Sequence, residues 1–189
     1  MDPILFIHGF GAGKKQYQPI KKYLKKKGIN NFYEFDYDNK FGLASFKLTA
    51  KVLSNFIEEN IKEENINIIA ISQGGIIALE YLKYFKNKNV KKLFTLCSPH
   101  SGSMLANMAV LPGLVDLRAN SKLLKELETF VRDSKIDIYS VYTPFDLMVF
   151  PGWRARSKYG KQKIVFAPTH PFAFWWPATF KFIYENIIK

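Results

Sequence analysis

Cysteine is almost absent from this 189-residue chain, and a lone Cys97 excludes both an internal disulfide and a multi-cysteine metal site. Histidine is nearly as scarce, at His8, His100 and His170, so any histidine-dependent chemistry has three candidates. No apolar run approaches the roughly 18 residues needed to span a bilayer. Met1-Asp2-Pro3-Ile4-Leu5 leads straight into a strand pattern, with no basic region or cleavage site before it. The expectation is a cytoplasmic protein, or a secreted one if a leader has been removed. Acidic residues number 16 against 28 lysines and arginines, a net charge of +12. The basic residues are spread over several expected helix faces and no base-reading or strand-binding motif accompanies them, so no nucleic-acid partner is expected. An anionic membrane surface or an acidic carrier protein remains as a reading of the charge.

What is present is a globular composition, 48% hydrophobic and 16% aromatic, in a length that suits one domain over residues 1–189. The organising stretch is Ile66-Asn67-Ile68-Ile69-Ala70-Ile71-Ser72-Gln73-Gly74-Gly75-Ile76-Ile77. A β-branched run stops at a serine between small residues, and apolar residues at helical spacing follow at once. This is the pattern of a strand turning sharply into a helix with a nucleophile at the tip, where Ala70 and Gly74 must be small to fit the turn.

Other strands are expected at 3–7, 32–36, 92–96, 136–142 and 163–167. Helices are expected from Tyr17 to Gly28, from 43 to 62, after the elbow to Phe85, and over 121–132 and 177–187. In the second helix, Leu48, Val52, Phe56 and Ile57 mark the apolar face. Strands alternating with helices throughout predict an α/β fold: a six-stranded parallel sheet of order 2-1-3-4-5-6 with helices on both faces. Strands 1 and 3 are then neighbours at the switch point, which puts the loop His8-Gly9-Phe10-Gly11-Ala12-Gly13 beside Ser72. That loop lacks a completed dinucleotide or phosphate-loop motif. It reads either as a flexible turn or as the donor of an oxyanion-binding N–H from Phe10, paired with that of Gln73.

A serine nucleophile needs a base, and the base needs a carboxylate to hold its tautomer. In elbow hydrolases the chain order is serine, acid, histidine. His8 precedes the elbow and His100 comes too early, which leaves His170, just past strand 6. Asp146 follows strand 5 at its carboxyl end, whereas Asp137 sits at the amino end, and Asp116 and Asp133 fall in the preceding insert and helix. The expected catalytic set is therefore Ser72, Asp146 and His170, with no metal and no organic cofactor.

An apolar insert at about 99–120 carries Met104, Leu105, Met108 and Leu111. These residues, with Phe172, either line an acyl pocket or are ordinary core. Phe172, Phe174, Trp175 and Trp176 pose the same choice between a surface anchor and packing for the last helix.

Taken together, Phe6-Ile7-His8-Gly9-Phe10, Ala70-Ile71-Ser72-Gln73-Gly74-Gly75, Ser98-Pro99-His100-Ser101-Gly102-Ser103, Leu111-Pro112-Gly113, Asp116-Leu117, Asp146 and His170 make the chain resemble the α/β-hydrolase superfamily. Within it, the resemblance is to the small bacterial lipases and esterases with a minimal sheet. It implies hydrolysis of carboxylic esters, often acyl lipids, through an acyl-enzyme. Two alternatives stand beside that expectation: an esterase, thioesterase or acyltransferase working on an acyl group borne by an acidic carrier protein, and a non-catalytic membrane- or protein-binding module.

Overall fold

The computed structural model describes residues 2–11, 13–38, 44–85, 88–108, 112–134 and 136–189. Strands β1 (Ile4–Ile7), β2 (Phe32–Phe35), β3 (Asn65–Ile71), β4 (Asn89–Leu96), β5 (Asp137–Tyr142) and β6 (Lys161–Ile164) form one sheet of order β2-β1-β3-β4-β5-β6, every pairing parallel. The expected order and class hold. Parallel strands need crossovers, and the helices supply them. They are α1 (Gln18–Lys26), α2 (Phe46–Asn60), α3 (Gln73–Tyr84), α4 (Pro112–Val115), α5 (Lys122–Asp133), α6 (His170–Trp175) and α7 (Pro177–Ile187).

Strand side chains alternate between the faces. Leu5, Ile7, Ile66, Ile68 and Ala70 pack with α2, α3 and α5 in one core, while Ile4, Phe6, Ile69 and Ile71 pack with α1, α6 and α7 in the other. Because both faces are covered, β1 and β3 are apolar nearly throughout, as the sequence pattern requires. α1 buries Ile20 and Leu24, with Tyr17 just ahead of them, and the chain leaves it through Gly28 at φ +84°.

Two expectations are corrected. The buried face of α2 is Phe46, Thr49, Ala50, Leu53, Ser54 and Ile57, while Leu48 and Val52 are 57% and 48% exposed. Helix packing selects the stripe that contains the small Thr49, Ala50 and Ser54, which let α2 approach α3 closely. Strand β6 is Lys161–Ile164 rather than 163–167. Val165 still donates its N–H to the Tyr142 carbonyl at 2.9 Å, but the ladder ends and the chain bends away toward His170. No helix among the described residues is long and apolar enough to cross a membrane.

Candidate active site

All the loops of interest leave the carboxyl ends of strands, so the fold gathers them along one edge of the sheet. At the end of β3 the chain turns into α3 through Ser72, whose φ of +52° and ψ of −125° are strained for a non-glycine residue. The turn is tight: a Cβ on Gly74 would lie 2.6 Å from the His8 carbonyl oxygen. The small residue predicted there is therefore demanded by the β1 loop passing over the start of α3.

Asp146 is fully buried past β5. Its Oδ1 accepts the backbone N–H groups of Met148 and Val149 at 2.9 and 2.8 Å, and its Oδ2 lies 2.6 Å from Nδ1 of His170. His170 is the first residue of α6 and is 3% exposed, with Phe174 edge-on to its ring at 5.0 Å. With Nδ1 held by the carboxylate, Nε2 is the nitrogen left to exchange a proton. The rivals lie elsewhere. Asp137 opens β5 at the amino edge, and His100 is tied by its Nε2 to Thr95 Oγ1 at 2.8 Å.

Ser72, Phe10 and Gln73 line one cavity of about 270 Å³, walled by Leu105, Ala106, Leu114, Leu117, Met148 and Val149. Of the residues expected to bind substrate, Leu105 stands in this wall. Met104 and Phe172 are about half exposed and lie outside it. Met108 closes a short 3₁₀ turn, its side chain outside the described residues along with Leu111. Met148 and Val149 were not anticipated. They join the wall because Ser103, in the insert, donates its hydroxyl to the Met148 carbonyl at 2.9 Å and accepts the N–H of Phe150 at 3.2 Å. The insert and the Asp146 loop are thereby stitched together.

The sequence reading also missed the supports of the His8-Gly9-Phe10 loop. Gln16 Oε1 accepts the Gly9 N–H at 2.6 Å. Tyr37 stacks on the His8 ring at 4.2 Å, donates its hydroxyl to the His8 carbonyl at 2.9 Å and accepts from Gln73 Nε2 at 3.2 Å. Desolvation holds the Tyr37 phenol well above its ordinary range, so it stays a donor. The available signal was position, since Tyr37 follows β2, next to the switch point.

Cys97 follows β4 directly at φ +52°, fully buried. It forms, with Asp146 and His170, the grouping among the described residues whose ligand atoms come close enough for a metal ion, within 4.8 Å of one another. Burial and then the Asp146 carboxylate push the thiol pKa up, so it is protonated, the wrong form for a metal ligand. Two of the three groups are already joined by the 2.6 Å hydrogen bond.

A six-stranded parallel sheet with a strained serine elbow at its switch point defines an α/β-hydrolase of the lipase and esterase type. More narrowly, the chain belongs to the palmitoyl protein thioesterase family, whose sequence profile matches residues 3–145. Solved structures agree on the fold. The mature lipase BlEst2 of Bacillus licheniformis superposes with a TM-score of 0.78 at 15% identity, over 98% of this chain and 91% of that one. An esterase from Exiguobacterium antarcticum gives 0.72 at 14% identity, over 100% and 92%. A monoacylglycerol lipase from Paleococcus ferrophilus gives 0.71 at 14%, over 99% and 94%.

Proposed function

We propose that this chain is a serine carboxylester hydrolase that works through an acyl-enzyme. The observation that carries the reading is the buried 2.6 Å Asp146–His170 pair on the same sheet edge as a strained serine that opens into an apolar cavity. Ser72 Oγ attacks the acyl carbonyl while His170 Nε2 takes its proton, and Asp146 steadies the imidazolium that forms. The backbone N–H groups of Phe10 and Gln73 stabilise the oxyanion. His170 then returns the proton to the leaving alcohol, and the acyl chain rests among Leu105, Leu114 and Leu117. Water, activated by His170, attacks the acyl-enzyme and releases the acid. The scheme calls on no metal or organic cofactor.

The family match favours a second substrate, a thioester borne on a protein. The same groups serve it, because a departing thiolate needs less protonation than an alkoxide. A cation of charge +12 also suits an acidic carrier.

The test is turnover of a chain-length series of p-nitrophenyl esters and of S-acyl peptides by the wild type and Ser72→Ala. Loss of turnover in the variant together with fluorophosphonate labelling of Ser72 is expected. Equal turnover in both proteins would sink the elbow as nucleophile, and preferential cleavage of S-acyl peptides would move the substrate to the second reading.

A further inference from the structure

Large apolar side chains left in water are unevenly placed on this molecule. Among the described residues sixteen are exposed; nine of them stand in the connections that leave the carboxyl ends of β1, β4, β5 and β6, and two more, Phe172 and Trp175, on α6 that follows β6. The most exposed are Phe166 at 68%, Leu147 at 67% and Trp153 at 59%. Apolar side chains gathered in this way at one edge of a folded chain mark a contact with something apolar.

Three of these residues, Phe10, Leu105 and Met148, also line the cavity. The Met104 N–H donates to the Phe150 carbonyl at 2.9 Å, and Arg154 Nη1 donates to the Ser101 carbonyl at 2.7 Å, so the loop bearing Leu147 and Trp153 is fastened to the insert that walls the cavity. On the other side, the Trp175 indole donates to the Gln16 carbonyl at 2.8 Å, fastening the aromatic α6 beside the loop of Phe10. These tethers fix the elements that carry the rim of exposed apolar side chains to the loops that line the cavity.

We infer that this rim is a membrane-docking surface and that its partner is an anionic bilayer leaflet, into which Leu147, Trp153 and Phe166 insert around the cavity mouth. Charge supports the choice of partner. The molecule carries +12, and Lys14, Lys15 and Arg156 are exposed on the rim loops, where they would meet headgroup phosphates as the side chains sink to the acyl boundary. The indole of Trp153 suits that boundary, apolar in body and polar at one edge. Docked in this way, the cavity would open toward acyl chains without their crossing water. The inference deepens the acyl-hydrolase reading by naming where the substrate resides, but binding to the bilayer does not require that reading to be right.

Binding is therefore measured separately from turnover, with Ser72→Ala protein and vesicles of phosphatidylcholine with and without phosphatidylglycerol. Cosedimentation and a blue shift of tryptophan emission are expected, stronger on the anionic vesicles and weakened by salt. The Leu147→Ala/Trp153→Ala/Phe166→Ala variant should lose at least ~10-fold in partitioning. In the Ser72 background it should still elute as the parent does, which checks folding. With Ser72 intact, its turnover of a short soluble ester should stay within about 2-fold, since none of the three residues lines the cavity and all three are mostly exposed. Lys14→Gln/Lys15→Gln should weaken binding to the anionic vesicles alone, by ~5-fold per lysine. Vesicle binding that the triple variant leaves intact would overturn the proposal, as would the absence of binding to either vesicle. A wild-type dimer by light scattering that the triple variant abolishes would instead assign the rim to a second copy of the chain.

Discussion

Gln16 accepts the Gly9 N–H through its side chain at 2.6 Å and the Trp175 indole N–H through its main chain at 2.8 Å. One residue thus braces both the proposed oxyanion loop and the helix that begins with His170. Truncation to Ala leaves the Gly9 N–H without its partner and removes the fixed bearing of Phe10, at a cost of about 1–3 kcal/mol. Gln16→Ala should lower kcat on a soluble ester by ~10-fold or more with little change in KM, while Gln16→Glu, which keeps the acceptor, should recover most of the loss.

Asp146→Asn keeps the shape but can present an N–H to His170 Nδ1, reversing the ring tautomer so that Nε2 carries the proton and cannot accept one from Ser72. A fall in kcat of about 10⁴ is expected, close to the cost seen for the equivalent change in a serine protease. Circular dichroism should stay native. A fall below 10-fold would show that another carboxylate supports the base.

His100 is expected to make the fold acid-labile. Desolvation lowers its pKa from 6.5 to about 4, so between these values the unfolded chain binds the proton and the folded chain does not. Stability therefore falls as pH drops from about 6.5 toward 4. The residue as a whole is half-buried, which limits the effect to no more than about 3 kcal/mol. Urea midpoints taken across this window should flatten in His100→Gln relative to the wild type.

Glu80 sits 2% exposed within α3, its Oε1 without a hydrogen-bond partner among the described residues. Burial raises its pKa, partly offset by Lys83. The folded state thus holds the proton more tightly than the unfolded one, and this group favours folding most at low pH and progressively less as pH rises past its ordinary range. Glu80→Gln should raise the neutral-pH Tm, equivalent to about 1 kcal/mol, with the gain shrinking on acidification. A drop in Tm at pH 7 would mean that Lys83 governs the site instead.

The parts of the fold that could be read from the sequence were those written in local chemistry. The Ile66–Ile71 run, the small Gly74 and the chain order of Asp146 and His170 each announce a backbone event or a position along the strand series. The face of α2 could not be read in this way, because two stripes on that helix are almost equally apolar and only packing against α3 chooses between them. Gln16 and Tyr37 were also silent. Their roles consist of hydrogen bonds to residues 7, 29, 36 and 159 positions away, and no periodicity encodes such partners. The place of Cys97 beside Asp146 was equally hidden, because it exists only once β4 and β5 are paired.

Strand β6 closes one side of the sheet with Lys161, Gln162, Lys163 and Ile164, all but Lys163 exposed. A second chain extending the sheet there would have to lay its own strand against lysines and give up their hydration. A protein that displays so much apolar surface around one rim runs a risk of stacking into aggregates. The charged border makes sheet-to-sheet growth costly on that flank, so the rim can stay adhesive toward a flat apolar target without nucleating fibrils from the chain's own edge.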